Sequence, residues 1–453
     1  MVTHLHDLLN EAVATPPPGG RDVDEIVRAG RRRIRARRAR RAGVATLAVG
    51  GVALGSTLAW TSPYVTPTLE EAGAPRPPGR VIDLADARAA VPGTDFTTIA
   101  TLTNADLNWA NGRDALGDTP DGKVLVQDGP HGRHNTTRYA LVDAGDIDAT
   151  RDEAWLPAEG QPEGGVDAFP VALEEDRLVL ATMGDGSSRG TLRVHTYDRA
   201  TQEWSQTQWS GLPKVARPWT TLGPDGRLYV RTEVARGAIP EGGWPVGVDG
   251  EAEDAGAEGD TYALWSVALD DPTDVREEGV VGGAFGFAGD DLVWTDAVNG
   301  AAGMVHVRDA ATGEVTTWDP QLGERCNLLG FGVGGERIAM SQYCGTYRKG
   351  AGSVRDDRVQ VFDLDGRLVT TVQDSGISGW MSPASGVLTL WAYRGSVAGT
   401  YAYDFASDQL VRLSEGHSPW FSGEFVARPG QAKWAVPAGE DGSTQVLADL
   451  TLQ

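Results

Sequence analysis

One short pattern, repeated seven times, constrains the fold of this 453-residue chain more than any other feature. Each copy is a turn bearing Asp, Gly or another polar residue, followed by a short apolar strand. The copies are Gly122-Lys-Val-Leu-Val, Asp176-Arg-Leu-Val-Leu, Asp225-Gly-Arg-Leu-Tyr-Val, Asp290-Asp-Leu-Val-Trp, Glu336-Arg-Ile-Ala-Met, Ser385-Gly-Val-Leu-Thr-Leu and Gln431-Ala-Lys-Trp-Ala-Val. Anchored on Leu125, Leu178, Leu228, Leu292, Ile338, Leu388 and Trp434, they lie 53, 50, 64, 46, 50 and 46 residues apart. A fixed period of this size marks a repeat architecture. Each interval holds enough chain for four strands, and no stretch between copies has the length or periodicity of an ordinary helix, which excludes a parallel α/β fold.

Most copies continue into a second alternating strand and an acidic turn: 192–198 before Thr201, 304–309 before Thr312-Gly313-Glu314, 359–363 before Asp365-Gly366, and 400–404 before Gln409. Asp and Gly suit such hairpins, because Asp hydrogen-bonds its own backbone and Gly accepts positive φ. The 64-residue gap contains an acidic, apolar-poor insertion, 235–260, whose spacing does not match a calcium loop. Residues 81–453 are therefore expected to form an all-β domain, a β-propeller of about seven four-stranded blades. Residues 81–84, Val-Ile-Asp-Leu, are expected to complete the last blade and pair its open edge.

The segment before the repeats differs in composition. Residues 31–41 carry an Arg cluster, and 42–60 run 19 residues without a charge, ending at Trp60. That length suits one membrane-crossing helix, and the positive-inside rule orients 1–41 to the cytoplasm and 61–453 outside the cell membrane. The tail 1–41 has two short amphipathic helical patterns broken at Pro16-Pro17-Pro18, and it offers a site for a cytoplasmic regulator. Residues 61–80 form a Pro-rich linker. This layout resembles actinobacterial single-pass membrane proteins, including the general plan of membrane-bound anti-sigma factors, although residues 1–41 contain no Cys for a zinc motif. The repeats resemble WD40-like and TolB-like propellers in blade length and in the Tyr-Asp to Thr-Gly turns. The resemblance implies an extracytoplasmic propeller on a membrane anchor.

Net charge is −23, with the acidic excess after residue 60, which disfavours nucleic acid as a partner. The two cysteines, Cys326 and Cys344, are expected at neighbouring strand ends and to form a disulfide, as in an oxidising compartment. No Gly-x-Ser-x-Gly elbow, phosphate-binding loop, His-Glu-x-x-His or dinucleotide-binding glycine pattern occurs, so no catalytic residue, cofactor or metal ligand is assigned. His131 and His134 share a Gly-rich loop without a third ligand, and His195 and His306 occupy matching repeat positions that suggest packing. Trp219, Trp380 and Trp420 recur before innermost-strand sequences and are the candidate ligand-facing aromatics. The expected function is a non-catalytic platform for a protein or cell-envelope ligand, able to signal inward. The alternative is a membrane-anchored hydrolase or lyase acting on envelope glycans. An enzyme has to gather carboxylates with a His or Tyr at one mouth of the ring; a platform does not.

Overall fold

Alternation buries every second side chain of a strand, and here both faces of each sheet find a neighbour. The computed structural model describes residues 74–452, except 75, 105–112, 132–135, 148–154, 163–167, 184–188, 238–239, 242, 244–258, 299–300, 321–325, 350–351, 382–386, 417–429 and 439–441. The strands form seven antiparallel blades. Blade one holds Arg113–Asp118, Lys123–His131 and Thr136–Asp143, with a bridge from Ala140 to Trp155. Blade two holds Ala168–Leu173, Arg177–Met183, Leu192–Asp198 and Glu203–Thr207. Blade three holds Val215–Leu222, Leu228–Ala235, Thr261–Val267 and Val275–Gly282.

Blade four holds Phe285–Ala288, Asp291–Val298, Ala301–Arg308 and Val315–Trp318. Blade five holds Asn327–Gly334, Arg337–Lys349, Gly352–Asp363 and Leu368–Asp374. Blade six holds Ile377–Met381, Val387–Ala392, Gly399–Asp404 and Gln409–Glu415. Blade seven joins Gln431–Ala438 and Gly442–Leu450 to Phe96–Asn104. The seven sequence anchors fall one per blade, all between 0% and 3% exposed.

The core is divided among the blade interfaces. Seven apolar clusters occur among the described residues, one between each adjacent pair of blades. First strands of adjacent blades lie against one another, as Phe285–Ala288 does on Asn327–Gly334, which lines the axis with them. The turns follow the sequence logic. Asp309 accepts from the N–H groups of Ala311 and Thr312, and Asp198 does the same for Ala200 and Thr201.

Ring closure differs from expectation. Phe96–Asn104 closes the ring against Gly442–Leu450, whereas Val81–Ile82 pairs in parallel with the outer strand of blade five. Arg88–Ala89 then pairs in parallel with the outer strand of blade six. The apolar character of residues 81–84 reflects their burial on those two blades, where Ile82 and Leu84 join the cluster of Val372, Ile377 and Tyr401. The segment 81–89 is a strap that covers two outer edges before the chain enters the ring. Leu102, in the closing strand, is 0% exposed and packs with Leu447, Ala115 and Val126 across the closure. Leu102→Ala is expected to cost about 2–5 kcal/mol in chemical denaturation, since the cavity lies where the closing strand is held against the last strand of the ring.

The location also changes. Residues 1–41 and 42–60, the expected helical tail and membrane span, lie outside the described residues. Among the described residues no helix is long and apolar enough to cross a membrane; the helical turns at Leu84–Asp86 and Gly395–Val397 have three residues each. The cell-membrane location is corrected accordingly. The bond between Cys326 and Cys344 points to an extracellular or periplasmic compartment.

Candidate functional site

A group of buried and partly buried polar residues lies where blade five, blade six and the strap meet. A row of paired positions crosses blade five at this end: Asn327 opposite Tyr343, Tyr343 opposite Asp357, and Asp357 opposite Asp374. Pairing in register brings the two carboxylate-bearing Cα atoms to within about 4.5–5.5 Å. Asp357 is fully buried. Its carboxylate accepts two bonds from Arg355 Nε, at 2.7 and 2.9 Å, and one from Gly376 N–H at 2.8 Å. The Arg355 guanidinium lies 4.0 Å from the centroid of the Tyr343 ring. Beside this row, Asp356 and Arg358 form a second pair, 0% and 2% exposed, joined at 2.7 and 3.0 Å and braced by Gln373.

Asp374 is placed differently. It ends the outer strand of blade five, half-buried, and accepts one bond, from the N–H of Ser375. It has no ion pair with a cation among the described residues. Burial pushes its pKa above the ordinary carboxylate range, and the negative charges of Asp83 and Asp357 add to the effect. Burial also raises Asp357, against the opposing bonds from Arg355. Asp83 is exposed on the strap and accepts from Ala85 N–H at 2.8 Å. Three carboxylates therefore occupy one junction in three environments: one exposed, one tied to a guanidinium, and one without a cation.

Blade six supplies the rim. Tyr393 is 37% exposed, and Tyr393 N–H donates to Gly376 O at 2.9 Å. Arg394 follows it, also exposed. Gly376 has φ of +85°, and a Cβ there would sit 2.8 Å from the Tyr393 ring and 2.9 Å from Arg394 Cδ. Only glycine lets these two side chains lie over the junction.

The disulfide holds the same end of the blade. Cys326 directly precedes Asn327–Gly334, and its Cα lies 4.3 Å from that of Cys344. The second strand was expected to end at Cys344, but it continues to Lys349 through a bulge, where Tyr343 to Thr346 opposes Asp357 to Arg355 and Gly345 takes φ of +116°. The bond anchors the first two strands one residue from Asn327 and Tyr343. Replacing both cysteines with Ser is expected to lower stability by about 3 kcal/mol without abolishing the fold, as the 18-residue loop predicts. An unchanged denaturation midpoint would count against a structural role.

The residues chosen from sequence are not the ones brought together. Trp219 lies in Val215–Leu222 and Trp380 in Ile377–Met381, the first strands of blades three and six; their side chains, and all of Trp420, lie outside the described residues. His131 is in a strand of blade one and His134 is outside the described residues, and no group that could hold a metal occurs among those described. His195 and His306 occupy third strands, bonded to Gly160 and Thr182 and to Asp296 and Thr317 respectively. Asp83, Asp357 and Asp374 carried no sequence signal beyond their type.

No family model matches the chain, and no curated protein matches it. Solved structures similar to it include one of two prolyl endopeptidases (13% identity, TM-score 0.36, covering 67% of this chain and 50% of that one). The acylaminoacyl peptidase of Pyrococcus horikoshii (11%, 0.36, 65% and 44%) and YjhT (13%, 0.36, 72% and 99%) are others. The chain spans about half the length of the two peptidases. The non-catalytic platform expected from sequence is corrected at this point. Two of these neighbours are peptidases by name, at odds with a purely non-catalytic expectation, while the likeness itself, at 11–13% identity and a TM-score of 0.36, shows the fold alone.

Proposed function

We propose that this chain is a hydrolase or lyase acting on glycans outside the cytoplasm, with Asp374 as proton donor and Asp83 as its carboxylate partner. The observation that carries the proposal is the Asp374 carboxyl, pushed toward its neutral form by burial, lacking a cation, and flanked by two other carboxylates. Pairs of carboxyl groups whose environments differ in this way divide acid and base roles.

In hydrolysis, the Asp374 proton passes to the glycosidic oxygen as the bond from that oxygen to the anomeric carbon breaks. Asp83 takes a proton from the attacking water, whose oxygen bonds to the anomeric carbon. Exchange with solvent resets both groups. In the lyase form, Asp83 removes a proton from the carbon adjoining the one that bears the glycosidic oxygen, the C–H electron pair becomes a C=C bond as that C–O bond breaks, and the Asp374 proton goes to the departing oxygen. Asp357 is too deeply buried to touch a substrate. It fixes Arg355 and Gly376 and, by its charge, adds to the upward shift of the Asp374 pKa.

The test is release of reducing ends from a panel of neutral and acidic oligosaccharides by the purified full chain. Turnover that vanishes in Asp374→Asn and Asp83→Asn supports the reading. Absence of turnover on every member, or full activity in both variants, would overturn it.

A further inference from the structure

The substrate class is written in the charge of the rim. After residue 60 the chain carries a large acidic excess, yet an exposed guanidinium stands beside the carboxylate junction. Arg394 has no hydrogen-bond or ion-pair partner among the described residues; its contact is with the Tyr393 ring, 5.6 Å from its centroid. It is close enough for its charge to oppose the rise in pKa that burial imposes on Asp357 and Tyr393. Its stem is held over Gly376, whose lack of a side chain makes room for it.

Several arginines of this acidic domain find a carboxylate. Arg355 takes Asp357, Arg358 takes Asp356, Arg199 takes Asp121 and Arg227 takes Asp274. Arg394 lies near Asp357, but that carboxylate is already filled by Arg355 and Gly376. Its donors are left without a partner among the described residues, and a guanidinium has the fork geometry that binds a carboxylate with two parallel bonds. Tyr393 beside it offers a ring face, suited to the C–H face of a sugar.

We infer that Arg394 is a specificity residue that binds the carboxylate of an acidic sugar, so that the glycan cleaved at this site is a uronate polymer. The inference rests on the glycan reading given above. Long-range repulsion between an acidic protein and an acidic ligand makes a local cation a means of selection more than of attraction.

The experiment is titration calorimetry of the full chain with trigalacturonate, with neutral trigalactose and with inorganic phosphate. It is run on the native chain, Asp374→Asn, Arg394→Gln and Arg394→Lys. The native chain and Asp374→Asn are expected to bind trigalacturonate at least about tenfold more tightly than trigalactose. Arg394→Gln is expected to lose that preference at unchanged melting temperature, and Arg394→Lys to keep part of it. For turnover, Arg394→Gln is expected to raise KM for the acidic substrate about tenfold with little change in kcat.

Equal affinity for the two sugars, a preference that survives Arg394→Gln, or no binding of either sugar overturns the inference. So does phosphate binding that matches trigalacturonate. The two proposals fail separately. Turnover without acidic preference removes only the role of Arg394; an Arg394-dependent preference without turnover removes only the hydrolase or lyase reading.

Discussion

Asp374→Asn is expected to cut turnover of an oligosaccharide by about 10²–10⁴-fold, the usual contribution of a positioned proton donor, while raising the melting temperature at pH 7. The two effects have one cause. Burial, with the charges of Asp83 and Asp357, raises the Asp374 pKa in the folded state above its unfolded value. The fold therefore has its full stability when the pH lies below the ordinary carboxylate range, where the group is protonated in both states. As pH rises the unfolded chain ionises first, and that stability is lost progressively until the folded group ionises as well. Asparagine keeps the shape and never ionises, so the variant gains over the native chain at pH 7. The gain disappears near pH 3–4, about where an unperturbed carboxyl is half protonated. Loss of activity with gain of stability separates a functional group from a structural one, since removing a structural carboxylate lowers both. Melting curves of both proteins across that pH range, beside their rates, decide the matter. A variant less stable than the native chain at pH 7 would show that Asp374 is held by bonds and that burial is not its dominant influence.

Arg358→Ala is expected to cost about 3–5 kcal/mol, because it leaves the Asp356 carboxylate fully buried without its cation. Gln373 supplies one bond to that carboxylate and cannot neutralise it. The double variant Asp356→Leu with Arg358→Met removes both charges and is expected to recover most of the loss, since well-packed apolar side chains replace buried ion pairs at little net cost. Denaturant midpoints of the two single variants and the double variant give the coupling directly. Additive losses would mean that the pair is solvated, contrary to the 0% and 2% exposure of its members. The pair also bears on the site, because Asp356 and Arg358 flank Asp357 and hold the strand that presents it. Arg358→Ala is therefore expected to lower kcat as well, measured below the temperature at which the variant unfolds.

The repeat made the blades legible. Each of the seven anchor residues, from Leu125 to Trp434, sits one to a blade, because a strand buried on both faces needs an apolar run and each run needs a polar turn before it. The disulfide was legible for a similar local reason: the two cysteines lie at one end of a hairpin. The closing strand was not. Residues 81–84 and 96–104 both carry apolar alternation, and only the partner available at each edge decides which enters blade seven and which lies along blade five as a strap.

The candidate site was illegible for a stronger reason. Asp374, Asp357 and Asp83 are three among 63 acidic residues, and none stands in a motif. Asp83 and Asp374 are separated by nearly three hundred positions and meet because the strap crosses blade five. What gives each carboxylate its chemistry is burial and the presence or absence of a neighbouring guanidinium, and neither is a property of local sequence. The sequence by itself determined the strands, their number and the turns between them, since hydrophobic alternation and turn chemistry act over a few residues. Only the tertiary structure decided how the ring closes and which acidic groups share a junction, because those depend on contacts between segments far apart in the chain.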